Sequence, residues 1–405
     1  MSEDRILLVL PLPIYRAGDQ YFIETQAANN LGLWLDNFQH VTLMGPEVAL
    51  SEPRPDTSNI ETVKGRNRLA IFPVPAAWVP LKFLKALPCT ARLLDEQIRR
   101  ADYLHFAIGG LWGDWAAVAS FIARRLKLPY AVWTDRVESK VAVFSNLSRR
   151  GLKKLYHSIN IAIMTVLEKN VIRGSSLGLF HGQDCFDAYE KFSSNPHVVH
   201  DIATGHSDLI SKSDLLNRLS QHEELRIAYA GRAHREKGVF DWIDTLTNLT
   251  FPFRATWFGD GPEIDTAREL IRSLALNDKI RFPGAVSHRE VLHQLKSFDV
   301  FLFCHKTPES PRCLIEALQC GLPIVGYESP YPRMLAAHGA GFLSKQGDIS
   351  KLARTLSDIN SNRASLKSSS EAAVIEGTKY SAETVFAHRA ELMRTIPARS
   401  KSNQC

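Results

Sequence analysis

Five charged side chains in the second half of the sequence, three cations that can hold an anion and two carboxylates that can accept hydrogen bonds from hydroxyls, stand at spacings suited to a site. Arg232 and Lys237 lie in AGRAHREKG, residues 230–238, and Glu309, Arg312 and Glu316 lie in ESPRCLIEALQCG, residues 309–321. An arginine grips phosphate as a planar fork, whereas a lysine acts as a compact point charge. Gly231 permits a tight exit from a strand into this loop. On its own the loop reads sooner as a solvated basic turn. In the second segment Ser310 is expected as a helix N-cap and Pro311 as the first helical residue, where its missing N–H costs nothing. The amides of Arg312 and Cys313 then lack intrahelical partners. A cation in the first turn opposes the helix dipole, a conflict that an anion ahead of the helix resolves. The alternative is a surface ion pair between Arg312 and Glu316, which are four residues apart.

These residues need elements to position them, and the sequence supplies an alternation. From Leu225 onwards, LRIAYAGR, RATWFGDG, KIRFPGAV, DVFLFC and PIVGY read as strands. Helical patterns in VFDWIDTLTNL, EIDTARELIRSLAL, HREVLHQLKS and the segment after Ser310 separate them. In the first half RILLVLPLPI, HVTLMGP, DYLHFAIG and PYAVWTD read as strands, with helices expected through QYFIETQAANNLGLWLDN and AAVASFIARRLKL. Such alternation predicts parallel sheets covered by helices on both faces, an α/β protein of two Rossmann-like halves. Ligands of such folds gather at the carboxyl ends of the strands. Gly259 and Gly261 in FGDGPE, and Phe282, Gly284, Ala285 and Val286 in FPGAV, follow two more strands of the second half. Neither loop completes a dinucleotide fingerprint, and each alone reads as a plain turn. As exits from one sheet, however, they are expected to converge with the Arg232 loop and the Glu316 helix on one crevice.

In order, GRAHREKG, FGDGPE, RFPGAVSHREV and ESPRCLIEALQCGLPIVGY resemble the retaining nucleotide-sugar glycosyltransferases of the GT-B architecture. The likeness is to the large GR…KG and E-x7-E family, family 4-like and called group 1, and it runs from about Leu225 to Leu352. It implies two Rossmann-like domains facing each other across a cleft. It implies residues 1–205 as the acceptor-binding domain, 206–378 as the donor-binding domain, and 379–405 as a helix returning towards the first domain plus a tail. It further implies that Arg232 and Lys237 bind the donor diphosphate and that Glu316 binds ribose hydroxyls. Glu309, Ser310, Arg312 and Cys313 are implied near the donor sugar and phosphate, and the loop from Phe282 to Val286 around the base. The sequence departs from the family in spacing, since six residues separate Glu309 from Glu316. Either the loop is one residue shorter or Pro308 occupies the first-Glu place. The family's glycine-rich turn after the first strand is missing, leaving Arg16 and Gly18 as the nearest acceptor-side candidates. Asp135 stands where the family often has a histidine, and reads either as a proton acceptor or as a helix cap. His105, within DYLHFAIGG, reads as an acceptor-side residue or as a satisfied core histidine.

The bulk numbers bound the rest. A chain of 405 residues with 45% hydrophobic and 23% charged residues is a folded protein of about two domains. Its net charge of +6 suits a phosphate-bearing ligand or an anionic surface without specifying either. No zinc-finger spacing, base-reading basic helix or RNA-binding aromatic signature is present, which argues against nucleic acid. His181, His200 and His206 lack metal-ligand spacing, and no Asp-x-Asp motif occurs. The resemblance likewise implies chemistry without a metal or cofactor, with a nucleotide-diphosphate sugar as the co-substrate and fixed cations offsetting the leaving charge. Cys304, Cys313 and Cys320 sit in apolar segments as reduced core residues of a cytoplasmic protein. WVPLKFLKAL, residues 78–87, and NLSRRGLKKLYHSINIAIM, residues 146–164, mix apolar residues with cations, among them Arg149, Arg150, Lys153 and Lys154. They read either as core helices with solvated lysines or as a peripheral contact with the inner face of a membrane. The expected partners are the nucleotide sugar and a saccharide or lipid-linked acceptor. The rival functions are a sugar-nucleotide epimerase on the same fold and a non-catalytic sugar-nucleotide-binding protein.

Overall fold

The computed structural model describes residues 4–54, 56–146, 150–220, 224–307 and 309–396. Arg149, Pro308 and the RSKSNQC tail lie outside the described residues. The chain divides into two units, Met1–Ala203 with Ala382–Cys405, and Thr204–Ser381.

The first unit begins with β1 (Arg5–Val9), β2 (Ile14–Ala17), β3 (Gln20–Glu24), α1 (Thr25–Asn37) and β4 (His40–Ala49). It continues through β5 (Thr57–Asn59), β6 (Leu69–Pro75), α2 (Pro80–Arg100), β7 (Tyr103–Ala107) and α3 (Trp115–Arg125). Next come β8 (Ala131–Thr134), α4 (Glu138–Asn146), α5 (Gly151–Arg173), β9 (Leu177–His181), α6 (Gly182–Tyr189) and β10 (Pro196–Val199). The strands form one sheet in the order β10-β9-β8-β7-β1-β4-β2-β3-β5, with β6 also paired to β4. From β10 to β4 all neighbours are parallel. Burial on both faces explains why β7 reads as a nearly continuous apolar run rather than an alternating one. The helix expected through residues 20–37 is corrected here: Gln20–Glu24 is a strand, antiparallel to β2. The turn between them holds Gly18 at φ +61°, and two aromatic residues and an isoleucine favour the extended arm.

The second unit opens with α7 (Lys212–Ser220), β11 (Leu225–Ala230), α8 (Val239–Thr247), β12 (Phe253–Phe258) and α9 (Ile264–Ser273). Then follow β13 (Ile280–Gly284), α10 (His288–Leu295), β14 (Val300–Phe303), α11 (Arg312–Gln319) and β15 (Ile324–Tyr327). It ends with α12 (Pro330–Leu335), β16 (Gly341–Ser344), α13 (Ile349–Ser361) and α14 (Arg363–Gly377). Its six strands run parallel in the order β13-β12-β11-β14-β15-β16. The progression reverses between β11 and β14, so the connections leaving these neighbours diverge and open a crevice at their carboxyl ends.

Helix α11 is held from behind. Leu314, Ile315, Ala317 and Leu318 are buried, and Gln319 bonds with Thr204 and the Tyr380 carbonyl. At its carboxyl end the buried Arg218 donates to the carbonyls of Cys320 at 2.7 Å and Gly321 at 2.6 Å. A cation there satisfies carbonyls that have no intrahelical donor and complements the dipole. The last helix, α15 (Ala382–Thr395), belongs to the first unit, where Phe386, Ala390 and Met393 join the core of Ile6, Leu31 and Trp34.

Arg218→Met is expected to destabilise the second unit by about 2–3 kcal/mol, the scale of lost charge-assisted hydrogen bonds to buried carbonyls. Urea denaturation followed by circular dichroism measures this.

Candidate active site

The site is assembled at the reversal between β11 and β14. Residues 231–238 leave β11, and Glu309 lies on the connection from β14 to α11. Backbone hydrogen bonds lace the neighbouring loops: Gly231 N–H to Phe258 O at 2.8 Å, Ala233 N–H to Asp260 O at 2.9 Å, and Gly259 N–H to Gly284 O at 2.9 Å. Two glycines are required by this closeness. A Cβ on Gly259, at φ +127°, would stand 2.3 Å from the Gly231 carbonyl oxygen; one on Gly238, at φ +70°, would stand 2.0 Å from that of Cys304. The three glycine-bearing strand exits and the α11 connection therefore do meet along one edge of the sheet.

At its centre the Lys237 Nζ donates to Glu309 Oε2 at 2.5 Å, both side chains being largely buried. Behind them the buried His305 turns Nδ1 towards Glu309 Oε1 at 3.6 Å and places Nε2 2.7 Å from the Tyr229 hydroxyl. Burial, reinforced by the Lys237 charge, holds the His305 pKa well below the ordinary histidine range, so its ring is neutral at pH 7. Burial likewise raises the Cys313 thiol, with Glu316 and Glu309 adding to the effect and Lys237 and Arg312 opposing it. Cys313 is thus a neutral side chain in the midst of the charges, not a thiolate nucleophile. Arg232 is exposed and makes no ion pair with a described residue. Glu316 is buried on α11 and pairs with His288, Nε2 to Oε1 at 3.0 Å.

Several expectations need correction. Helix α11 starts at Arg312 with Pro311 as its N-cap, so buried Ser310 is not the capping residue. Proline has no side-chain acceptor for the cap, and Leu314 N–H bonds instead to the Pro311 carbonyl at 3.2 Å. Arg312 is thus the first helical residue, and Glu316 reaches His288. The Phe282 ring belongs to the core, against Trp242 and Trp257, and does not face a ligand. His105 is a core residue of β7, not an acceptor-side group. Its Nε2 lies 3.0 Å from Arg389 Nη2, and burial together with the Arg389 charge lowers its pKa strongly. Arg389 itself lies over the rings of Trp34, Trp133 and Phe386, a cation–π setting.

The remaining first-unit candidates occupy the carboxyl edge of their own sheet. Asp135 is exposed directly after β8. Arg16 and Gly18 belong to the β2–β3 hairpin, where Arg16 Nε donates to the Gly18 carbonyl at 3.1 Å and Nη1 lies 3.8 Å from Glu47. No group of three or more His, Cys, Asp or Glu side chains suited to a metal occurs among the described residues.

Three site residues escaped sequence reasoning: Tyr229, His288 and His305. A signal existed for His288, because Ser287 and Glu290 form a capping pair after FPGAV. Ser287 Oγ accepts from Glu290 N–H at 3.3 Å, which fixes His288 as the first residue of α10. The hydrogen bond that His288 donates to Glu316 raises the His288 pKa above its ordinary value of 6.5, despite opposing burial. The pair is therefore complete below about pH 6.5 and is lost as pH climbs through the raised folded-state midpoint. An NMR titration is expected to give His288 a midpoint above 6.5 that falls in Glu316→Gln.

Residues 214–375 match the family described as Glycosyl transferases group 1. A 2-deoxystreptamine N-acetyl-D-glucosaminyltransferase of Niallia circulans is 29% identical over 131 residues, 31% of this chain and 34% of its own. The aligned stretch spans between 16% and 39% of the length of three curated relatives. Among solved structures, sucrose-phosphate synthase of Thermosynechococcus elongatus superposes with a TM-score of 0.72 at 13% identity, covering 97% of this chain and 98% of that one. HepE of Anabaena, in complex with UDP, gives 0.66 at 17% identity over 98% and 100%. The GT-B type of fold expected from the sequence is the fold found.

Proposed function

We propose that this chain, whose residues 214–375 match the family described as Glycosyl transferases group 1, moves a sugar from a nucleotide-diphosphate donor to a saccharide or lipid-linked acceptor, with retention and without a metal. The observation that carries the reading is the Lys237–Glu309 pair at the strand-order reversal, flanked by exposed Arg232 and by Glu316 on α11. Buried donors and fixed cations at such a crevice stabilise charge that develops on a departing diphosphate. Arg232 and Lys237 take that role here. Glu316, steadied by His288, accepts hydrogen bonds from ribose hydroxyls. Backbone groups of residues 284–286 border the base.

The reaction balances without a strong protein base. The bond from the sugar's anomeric carbon to the diphosphate oxygen breaks, and the acceptor oxygen bonds to the same face of that carbon. The acceptor proton passes to an oxygen of the leaving diphosphate. Glu309, neutralised in part by Lys237, faces the cationic sugar of the transition state, and Asp135 is assigned to an acceptor hydroxyl. For a lipid-linked acceptor the protein works at the cytoplasmic face of a membrane. Its activity belongs to glycan or glycoconjugate synthesis.

The test is a panel of UDP-, GDP-, ADP- and CMP-sugars, read as transfer or slow donor hydrolysis. Arg232→Ala and Lys237→Ala are each expected to lower kcat/KM by about 100-fold or more, the scale of losing one transition-state donor. Glu316→Ala acts mainly on donor affinity. Full activity in all three variants refutes the assignment, and donor binding without turnover favours a non-catalytic binding protein.

A further inference from the structure

We infer that the groove between α2, α3 and α5 of the first unit binds the hydrocarbon chain of a lipid while the rims of α2 and α5 rest on an anionic membrane surface. This does not rest on the transfer reaction. The groove encloses roughly 530 Å³, with Phe83, Leu87, Trp112, Phe121, Ile163 and Leu167 in its walls. Its two charged members are turned away from it. Asp114 accepts from the amides of Gly109 at 3.1 Å and Ala117 at 2.9 Å, and Arg125 pairs with Asp95 at 2.6 Å. What remains is a largely apolar channel, with the indole N–H of Trp112 a buried wall donor that has no hydrogen-bond partner among the described residues, and such a lining suits an alkyl chain.

The rims name the environment. Leu152, Leu155, Ile159, Ile163 and Val166 follow one face of α5 at three- and four-residue steps, and all are exposed, Leu152 by 85% and Val166 by 67%. On α2 and just before it, Trp78, Leu81 and Leu84 are exposed by more than half. An apolar stripe on this scale costs free energy in water and calls for a cover. Residues 151–167 and 76–94 contain no aspartate or glutamate, whereas Arg150, Lys153, Lys154, Lys82 and Lys85 are all exposed cations beside the stripes. Glu168, the one acid of α5, is buried on Tyr189 and Ser139. A second copy pairing through α5 would therefore set cation against cation in either direction. An anionic lipid surface supplies both the opposite charge and the apolar phase. No described helix is long and apolar enough to cross a membrane, so the mode of attachment is in-plane.

The experiment uses the full chain with phosphatidylcholine vesicles, with and without phosphatidylglycerol, and measures co-sedimentation. Each surface cation is worth about fivefold in partitioning, so the triple variant R150Q/K153Q/K154Q is expected to bind about 100-fold more weakly to the anionic vesicles with an unchanged Tm. Lipids brominated along their chains are expected to quench wild-type tryptophan fluorescence more than that of Trp112→Phe, because Trp112 lines the groove. Absence of vesicle binding overturns the proposal, as does binding indifferent to the triple variant or quenching equal in wild type and Trp112→Phe. A concentration-dependent dimer abolished by Ile159→Asp, without vesicle binding, overturns it in favour of a second copy. A UDP thermal shift on the same preparations reports separately on the donor site.

Discussion

Everything at the candidate active site depends on one topological constraint, the reversal of strand order between β11 and β14. Parallel pairing sets Ile227 beside Val300 and Ala228 beside Phe301, so the two strands end together while their connections turn to opposite faces. Only this divergence lets Lys237 and Glu309, 72 residues apart in sequence, meet in hydrogen-bond contact. The sheet provides the geometry at no cost to the site residues, since the strands are fixed by burial and their ladder rather than by the charges.

Having brought a lysine and a glutamate out of bulk water, the fold must keep them satisfied. Desolvation of two charges costs several kcal/mol and is offset only by good geometry and further polar contacts. His305 and Tyr229 form the wall behind Glu309, and because His305 is neutral it adds no second cation. The lysine is thus poised between a carboxylate and whatever anion enters from the front. Glu316 solves the same problem differently, with a half-exposed histidine whose charge follows pH. One carboxylate is coupled to a permanent cation, the other to a titratable one.

Much of this was legible in the sequence. The alternation from Leu225 to Tyr327 gave the strands and helices of the donor-side sheet, because parallel strands buried on both faces leave unmistakable apolar runs. Arg232 and Lys237 stood out as cations in a glycine-bounded loop after such a run, and Glu316 through the motif on the helix after Ser310. Other features were hidden for physical reasons. The β2–β3 hairpin carries amphipathic residues compatible with either period, and only a glycine at positive φ decides. Ser310 is an ordinary capping residue whose role was taken by the geometry of the following proline. His105 lies within an apolar strand and His305 just beyond the end of another, and residue type does not tell their roles apart. One is a core partner of Arg389 and the other supports the site, a distinction made by residues 284 and 76 positions away. The apolar stripe of α5 was visible as composition, but its exposure belongs to tertiary structure alone.

The most direct measurement is a double-mutant cycle on nucleoside diphosphate affinity by calorimetry, using wild type, Lys237→Ala, Glu309→Gln and the double variant. If Lys237 is held by Glu309 beside the diphosphate, the two substitutions are coupled, and their combined effect departs from the product of the single effects by about tenfold, roughly 1.4 kcal/mol. Single effects that multiply within about twofold, or a Lys237→Ala variant with wild-type affinity, contradict the account.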